Sequence, residues 1–240
     1  MRVATYNIQH GAGSEGVLDL ERTAATLAAL GAELIGLQEV DRHFGERSGF
    51  VDQPAVLGAA LGMHVVFGAN LDRPPRAPGA PRRQYGNAIL SAHPVLTWRN
   101  VLLPRPAGGE QRGLLDAVVD VDGAPVRVLA THLQHDSQAE RLAQVDAIVT
   151  ELAGMAEPLV MAGDLNARPG TTEVRRLTRV LVDAWRTGGS GRGYTYDAAT
   201  PHARIDYVLS SDDFVAAWAA VPATRASDHR PVVADLVPGG

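Results

Sequence analysis

RVATYNIQHG, residues 2–11, returns in the middle of the chain as RVLATHLQHD, residues 127–136. The two stretches align without a gap, share Arg, Val, Gln and His, match Ile8 with Leu133, and set Asn7 against His132. Each is followed by a helical pattern and then by an apolar run that begins Ala-Glu and ends in a carboxylate. AELIGLQE (32–39) closes on Glu39, and AEPLVMAGD (156–164) closes on Asp164. Short apolar runs bounded by turn residues read as buried strands, so two related layers of strand, helix and strand are expected. Each layer brings one polar residue and one carboxylate to strand ends at a shared seam.

The remaining pattern extends this reading. Strands are expected at RVATYN (2–7), AELIGLQE (32–39), NAILSA (87–92), DAVVDV (116–121), VRVLATH (126–132), EPLVMAGD (157–164) and ARIDYVL (203–209). Leu20, Ala24, Leu27 and Ala28 recur at helical spacing in residues 18–31, with Gly31 placed as a stop. In residues 136–154, Asp136 or Ser137 is placed to cap a helix whose apolar face is Leu142, Val145, Ile148, Val149 and Leu152. Pro and Gly gather in 73–86, 104–113 and 186–196, which read as surface loops within one domain spanning 1–240. Mixed strands and helices give an α/β or α+β class.

Composition narrows the chemistry. The 240 residues are 45% hydrophobic, which suits a packed core. No apolar run approaches the ~20 residues that span a bilayer, and the start lacks the layout of a signal peptide, so the chain reads as soluble and cytoplasmic. With no cysteine, disulfides, thiolate metal sites and a cysteine nucleophile are excluded. All 22 positive residues are arginine, which excludes a Schiff-base lysine and a Walker-type phosphate lysine. A net charge of −5 argues against holding nucleic acid through a broad basic surface, while leaving room for a local basic groove.

Several polar residues interrupt apolar context. Glu39 ends a buried run, where a carboxylate needs a cation or a hydrogen-bonding partner. In VMAGDLNARPG (160–170), Asp164 can take a proton from water and Asn166 can donate to a negative oxygen, although an Asp-x-Asn turn also caps helices. His132 ends a strand and Asp206 interrupts another. Together they suit a buried carboxylate that orients an imidazole toward a phosphate; alone, Asp206 would pair with Arg204. Asp228 and His229 are adjacent in ASDHRPV (226–232), so a turn is needed to bring both into one cavity, with Ser227 fixing its geometry.

The contexts TYN, LQEV, ATHL, GDLN, RIDYVL and SDHRPV, in that order along nearly the whole chain, resemble the endonuclease/exonuclease/phosphatase superfamily. That superfamily includes deoxyribonuclease I, exonuclease III-type repair nucleases, inositol polyphosphate 5-phosphatases and neutral sphingomyelinases. The resemblance implies a four-layer α/β/β/α sandwich of two packed mixed sheets, with a phosphoester-cleaving site at one edge and Mg²⁺ or Mn²⁺ as cofactor. By the same resemblance Glu39 is the principal metal carboxylate, with Asn7 and Asp228 completing or supporting the coordination. Asp164 activates water, Asn166 orients it or the phosphate, and His229, held by Asp206, donates to a phosphate oxygen. His132 stabilises developing charge or the leaving group, and Arg112 supports the phosphate pocket.

The expected substrate is a phosphoester of a small molecule, a lipid headgroup or a nucleic acid, a phosphodiester being favoured. A DNA endonuclease or exonuclease, a sphingomyelinase-like phosphodiesterase and a phosphomonoesterase are the alternatives within the class. The absence of lysine and the Gln9 that stands where repair nucleases usually carry an acid lean away from DNA repair. Arg42, Arg47 and Gln53 are candidates for the substrate side of the cleft. A binding module without catalysis and a zinc hydrolase are the alternatives; an intact motif set argues against the first, and the lack of His-x-x-x-His or His-x-His spacing against the second.

Overall fold

Helix α1 (Leu20–Leu30) begins where Asp19 accepts from the Arg22 backbone N–H, and it stops at Gly31 in the left-handed region (φ 58°), as the sequence predicts. Helix α3 (Gln138–Leu152) is capped by Ser137 accepting from the Glu140 backbone N–H. Both cross over between parallel strands: α1 joins β1 (Arg2–Asn7) to β2 (Leu34–Arg42), and α3 joins β7 (Ala124–His132) to β8 (Leu159–Asp164). The computed structural model describes residues 1–106 and 108–239.

The other elements are α2 (Gln53–Leu61), β3 (His64–Arg73), β4 (Arg83–Ser91), β5 (Val95–Leu102) and β6 (Gly113–Val121). They are followed by α4 (Thr172–Leu177), β9 (Val182–Asp183), α5 (Ala184–Gly188), β10 (Asp206–Ser210), β11 (Phe214–Ala220) and β12 (Val232–Pro238). Two six-stranded sheets result, in the orders β11-β12-β1-β2-β4-β3 and β5-β6-β7-β8-β10-β9. Position by position the orders correspond, with the parallel pair in the same place in each, so the internal repeat reappears as two like sheets.

Three apolar clusters make the expected four layers. Val3, Leu34, Val128, Val160 and Val208 belong to a core formed between the sheets. Leu27 and Leu30 of α1 pack on Tyr6, Ile35 and Leu37 outside the first sheet, and Val145 and Ile148 of α3 pack on Leu129 and Met161 outside the second. The sheets pack tightly at Gly36, where an added Cβ would lie 2.5 Å from that of Ala162. Among the described residues no helix is long and apolar enough to cross a membrane.

The register places the site. His132 lies opposite Asp164 in the second sheet, whereas Asn7 lies opposite Gln38 in the first, so Glu39 falls one residue beyond the strict equivalent of Asp164. Side chains alternate along a strand, and one extra residue would aim Glu39 away from the seam. A bulge in β2 between Leu37 and Val40, with Glu39 at φ 58°, turns it back.

Candidate active site

Asn7 stands at the centre of the seam between the sheets. Its Nδ2 donates to Glu39 Oε1 at 3.0 Å and to Asp164 Oδ2 at 3.1 Å, while its Oδ1 accepts from the Gln9 backbone N–H at 3.0 Å. One amide therefore ties a carboxylate of the first sheet to a carboxylate of the second. The cleft above it, about 240 Å³, is lined by Glu39, Arg112, His132, Asp164, Asn166, Asp228 and His229, with His135, Tyr196 and Ile205. Glu39, Arg112, His132, Asp164, Asn166, Asp228 and His229 line this cleft as the motif reading expects, with Asn7 and Asp206 beneath it, whereas Arg42, Arg47 and Gln53 do not line it.

The SDH segment makes the turn its chemistry needs. Ser227 donates through Oγ to the Asn7 carbonyl (2.7 Å) and accepts from the His229 backbone N–H (3.2 Å), pinning the C-terminal segment to β1. His229 Nδ1 then meets Asp206 Oδ2 at 2.8 Å, and Nε2 faces Asp164 Oδ2 at 3.7 Å. Burial disfavours charge on this ring, but the Asp206 and Asp164 carboxylates outweigh it and raise the pKa to about 10, so His229 is an imidazolium at neutral pH. Asp206 thus orients His229 rather than His132. Arg204 is not the partner of Asp206 either, because both its terminal nitrogens bind Asp183, at 3.0 and 2.7 Å.

His132 is the opposite case. Burial first, then the charges of Arg112 and His229, push its pKa well down, so it is neutral. Arg112 Nη1 lies 3.1 Å from His132 Nδ1, and a guanidinium can only donate, which fixes the proton on Nε2. That N–H points toward Asp164 Oδ2 at 3.5 Å. Asn166 Nδ2 lies 3.1 Å from the same nitrogen and donates to the Leu133 carbonyl at 3.0 Å.

Burial raises the carboxyl of Asp164, the Asp206 charge adding to it, which makes Asp164 a better proton acceptor than an exposed aspartate. Its Oδ1 is held by the Asn166 backbone N–H at 2.9 Å. Burial also raises Glu39, and the nearby Asp228 charge works in the same direction. Carboxylates and an amide crowded in this way suit a hard divalent cation beside Glu39, Asn7 and Asp228. Asp164, Asp206 and His229 also bring ligand atoms within 4.8 Å of one another. There, however, His229 is protonated and its Nδ1 is committed to Asp206, so it has no lone pair for an ion.

Of the three further candidates, Gln53 is fully buried, donating to the His10 carbonyl and accepting from the Asp41 N–H, so it braces the fold. Arg47 is bidentate to Asp41, and Arg42 lies 3.4 Å from Asp52. Tyr196, His135 and Ile205 escaped the sequence reading. Tyr196 packs on the His229 ring with centroids 4.9 Å apart, and only its place in a glycine-rich loop just before RIDYVL hinted at this.

The Endonuclease/Exonuclease/phosphatase family model matches residues 4–229. The chain superposes on an endonuclease/exonuclease/phosphatase from Beutenbergia cavernae with a TM-score of 0.85 at 30% identity, covering 100% of this chain and 72% of that one. The mannosyl-6-phosphatase Bt3783 of Bacteroides thetaiotaomicron gives 0.80 at 17% identity over 99% of both chains, a likeness of fold. A humanized D. rerio TDP2 gives 0.73 at 18% identity over 99% of this chain and 98% of that one, again a likeness of fold. Protein cwh43 of Schizosaccharomyces pombe is 31% identical over 132 residues, which is 55% of this chain and 13% of that much longer protein. With two like sheets, a bridged pair of carboxylates at their seam and a family match over nearly its whole length, the chain belongs to the endonuclease/exonuclease/phosphatase family.

Proposed function

We propose that the chain is a Mg²⁺- or Mn²⁺-dependent phosphodiesterase in which Asp164 activates the attacking water. The observation that carries this reading is the Asn7 bridge, which holds Glu39 and Asp164 side by side in the wall of one cleft. Glu39, Asn7 and Asp228 would hold the cation, whose charge offsets the negative charge gathering on the phosphoryl oxygens.

The protein's own groups divide the remaining work. Asp164 accepts the proton of a water poised for in-line attack, with its orientation fixed by the Asn7 side chain and the Asn166 backbone. The Asn166 amide, the His132 Nε2–H and the imidazolium of His229 line the same cleft as donors for phosphate oxygens. Asp206 keeps His229 charged and correctly turned, and Arg112 keeps the His132 proton on the cleft side. A preset cation and donors need no rearrangement as charge develops, and one such donor contributes ~10²–10³ in rate.

The test is hydrolysis by purified protein in Mg²⁺, Mn²⁺ or chelator. The substrates are bis(4-nitrophenyl) phosphate, 4-nitrophenyl phosphate, intact and abasic duplex DNA, and sphingomyelin. Turnover of a diester that stops in chelator is expected. Equal turnover in chelator contradicts the metal-dependent reading, and a monoester preference contradicts the diester assignment.

A further inference from the structure

The connection between β3 and β4, RPPRAPGAPRR (73–83), leaves the first sheet on the side where Glu39 lies. Val40, next to Glu39, pairs with Gly86; three residues further out along β4 is Arg83, paired across the hairpin with Arg73. At about 3.4 Å per residue along a strand and about 4.8 Å between strands, the Arg83 and Arg73 backbones stand ~11 Å and ~14 Å from Val40, beside the metal carboxylate.

A chain of net charge −5 gathers Arg73, Arg76, Arg82 and Arg83 in this arm, beside Arg42 and Arg47 at the end of β2 and in the loop after it. Arg47, Arg42 and Arg82 pair with Asp41, Asp52 and Asp72 at 2.7, 3.4 and 2.7 Å. Arg76 and Glu46 approach to 3.7 Å, but both side chains are mostly exposed, so that pair contributes little. Among the described residues Arg73 and Arg83 form no ion pair.

What positions them is different. Arg73 lies over the Phe44 ring at 4.6 Å and Arg76 over Phe50 at 4.5 Å. An arginine held on an aromatic face is fixed in place while its N–H donors stay unspent, unlike one locked in a bidentate carboxylate pair. Arg83 gives Nε to the Pro74 carbonyl at 3.0 Å and keeps its two terminal nitrogens. Like charges directly opposite in a ladder destabilise it, and an anion seated between them reverses that sign. Pro74, Pro75, Pro78 and Pro81 limit the conformations open to the free arm, which lowers the cost of ordering it around a ligand.

We infer that Arg73 and Arg83, flanked by Arg76, bind a second phosphate group of the substrate, so that the enzyme favours a short phosphodiester-linked strand over an isolated ester. This rests on the cleft being a phosphoesterase site. The spacing exceeds what a diphosphate spans and calls for a linker between the two phosphates. Residues 74–82 carry no large apolar side chain, so the arm has no wedge for a bilayer.

Binding is read without turnover, as the fluorescence anisotropy of a short labelled DNA strand in chelator across a salt series. The proteins compared are the native chain, Arg73→Gln, Arg83→Gln and the double variant. Each single variant is expected to bind roughly tenfold more weakly, the loss of one charge-assisted contact. The double variant should flatten the salt slope by about 0.7, one phosphate on a single strand. Arg83→Gln should melt no lower than the native protein at low salt, because it removes a like-charge pair.

Equal affinity in all four proteins overturns the inference, as does a lower melting temperature for Arg83→Gln. Tighter binding to phosphatidylserine vesicles than to the strand overturns it in favour of a membrane partner. Because no hydrolysis is needed, failure here leaves the phosphoesterase reading standing, and failure of hydrolysis leaves the binding result readable.

Discussion

Glu39 and His229 carry opposite charges in one cleft, and each makes a separate prediction. Glu39 is a carboxylate that burial penalises and that a cation would reward. In chelator, Glu39→Gln should melt at the native temperature or above it; in Mg²⁺ the native protein should gain stability that the variant does not. Each kcal/mol of that gain moves the melting temperature by about 2–4 °C in a chain of this size. An equal Mg²⁺-induced shift in both proteins would place the ion elsewhere. For His229 the folded pKa of about 10 exceeds the ~6.5 of an unfolded histidine. The folded state therefore binds the proton more tightly, and this contribution is full below ~6.5 and lost as pH rises through about 10. Melting temperature in chelator should decline across that window, and His229→Gln should decline less; parallel curves would deny the Asp206–His229 pair its charge. Glu39 was legible because it ends an otherwise apolar run, and His229 because SDHRPV completes the ordered set of motifs. Tyr196 was not, since a tyrosine in a glycine-rich loop carries neither mark.

At the scale of elements, the crossover helices and the central strands followed from periodicity and caps, whereas the outer strands did not. The Ala-rich FVAAWAA of β11 has no β-branched majority, and β5 is an edge strand that leaves Leu96, Trp98 and Leu102 exposed, so neither shows a clean alternation. The hairpin at 73–86 read as a loop of ten or so residues, but Arg73 and residues 83–86 belong to strands. The bulge at Glu39 was invisible too, because it is a matter of pairing and φ. Gly36 tests how the sheets meet. A larger residue there collides with Ala162 and Ala130, whose Cβ atoms lie 2.5 and 3.4 Å from the added Cβ. Gly36→Val should cost about 1–3 kcal/mol in urea unfolding, and adding Ala162→Gly should recover part of it. An unchanged midpoint would mean that the sheets do not close there.

Across the whole molecule, the repeat read from the two strands is carried further than the sequence could show. The first sheet is completed only by the end of the chain: β12 pairs with β1, the Arg2 and Asp235 side chains bond at 2.7 Å, and the Met1 amino group donates to the Leu236 carbonyl at 3.1 Å. The two like sheets are therefore circularly offset in sequence, which is why only the β1-α1-β2 and β7-α3-β8 units align in the sequence. Their seam is where one amide joins two carboxylates, and catalysis by Asp164 at that seam is the central claim. The most direct measurement is kcat for bis(4-nitrophenyl) phosphate in Mg²⁺, native protein against Asp164→Asn, with both melting curves recorded. A loss of ~10²–10⁴ in kcat, the range for a general base, with the fold retained is predicted. A folded variant that keeps near-native kcat would contradict it.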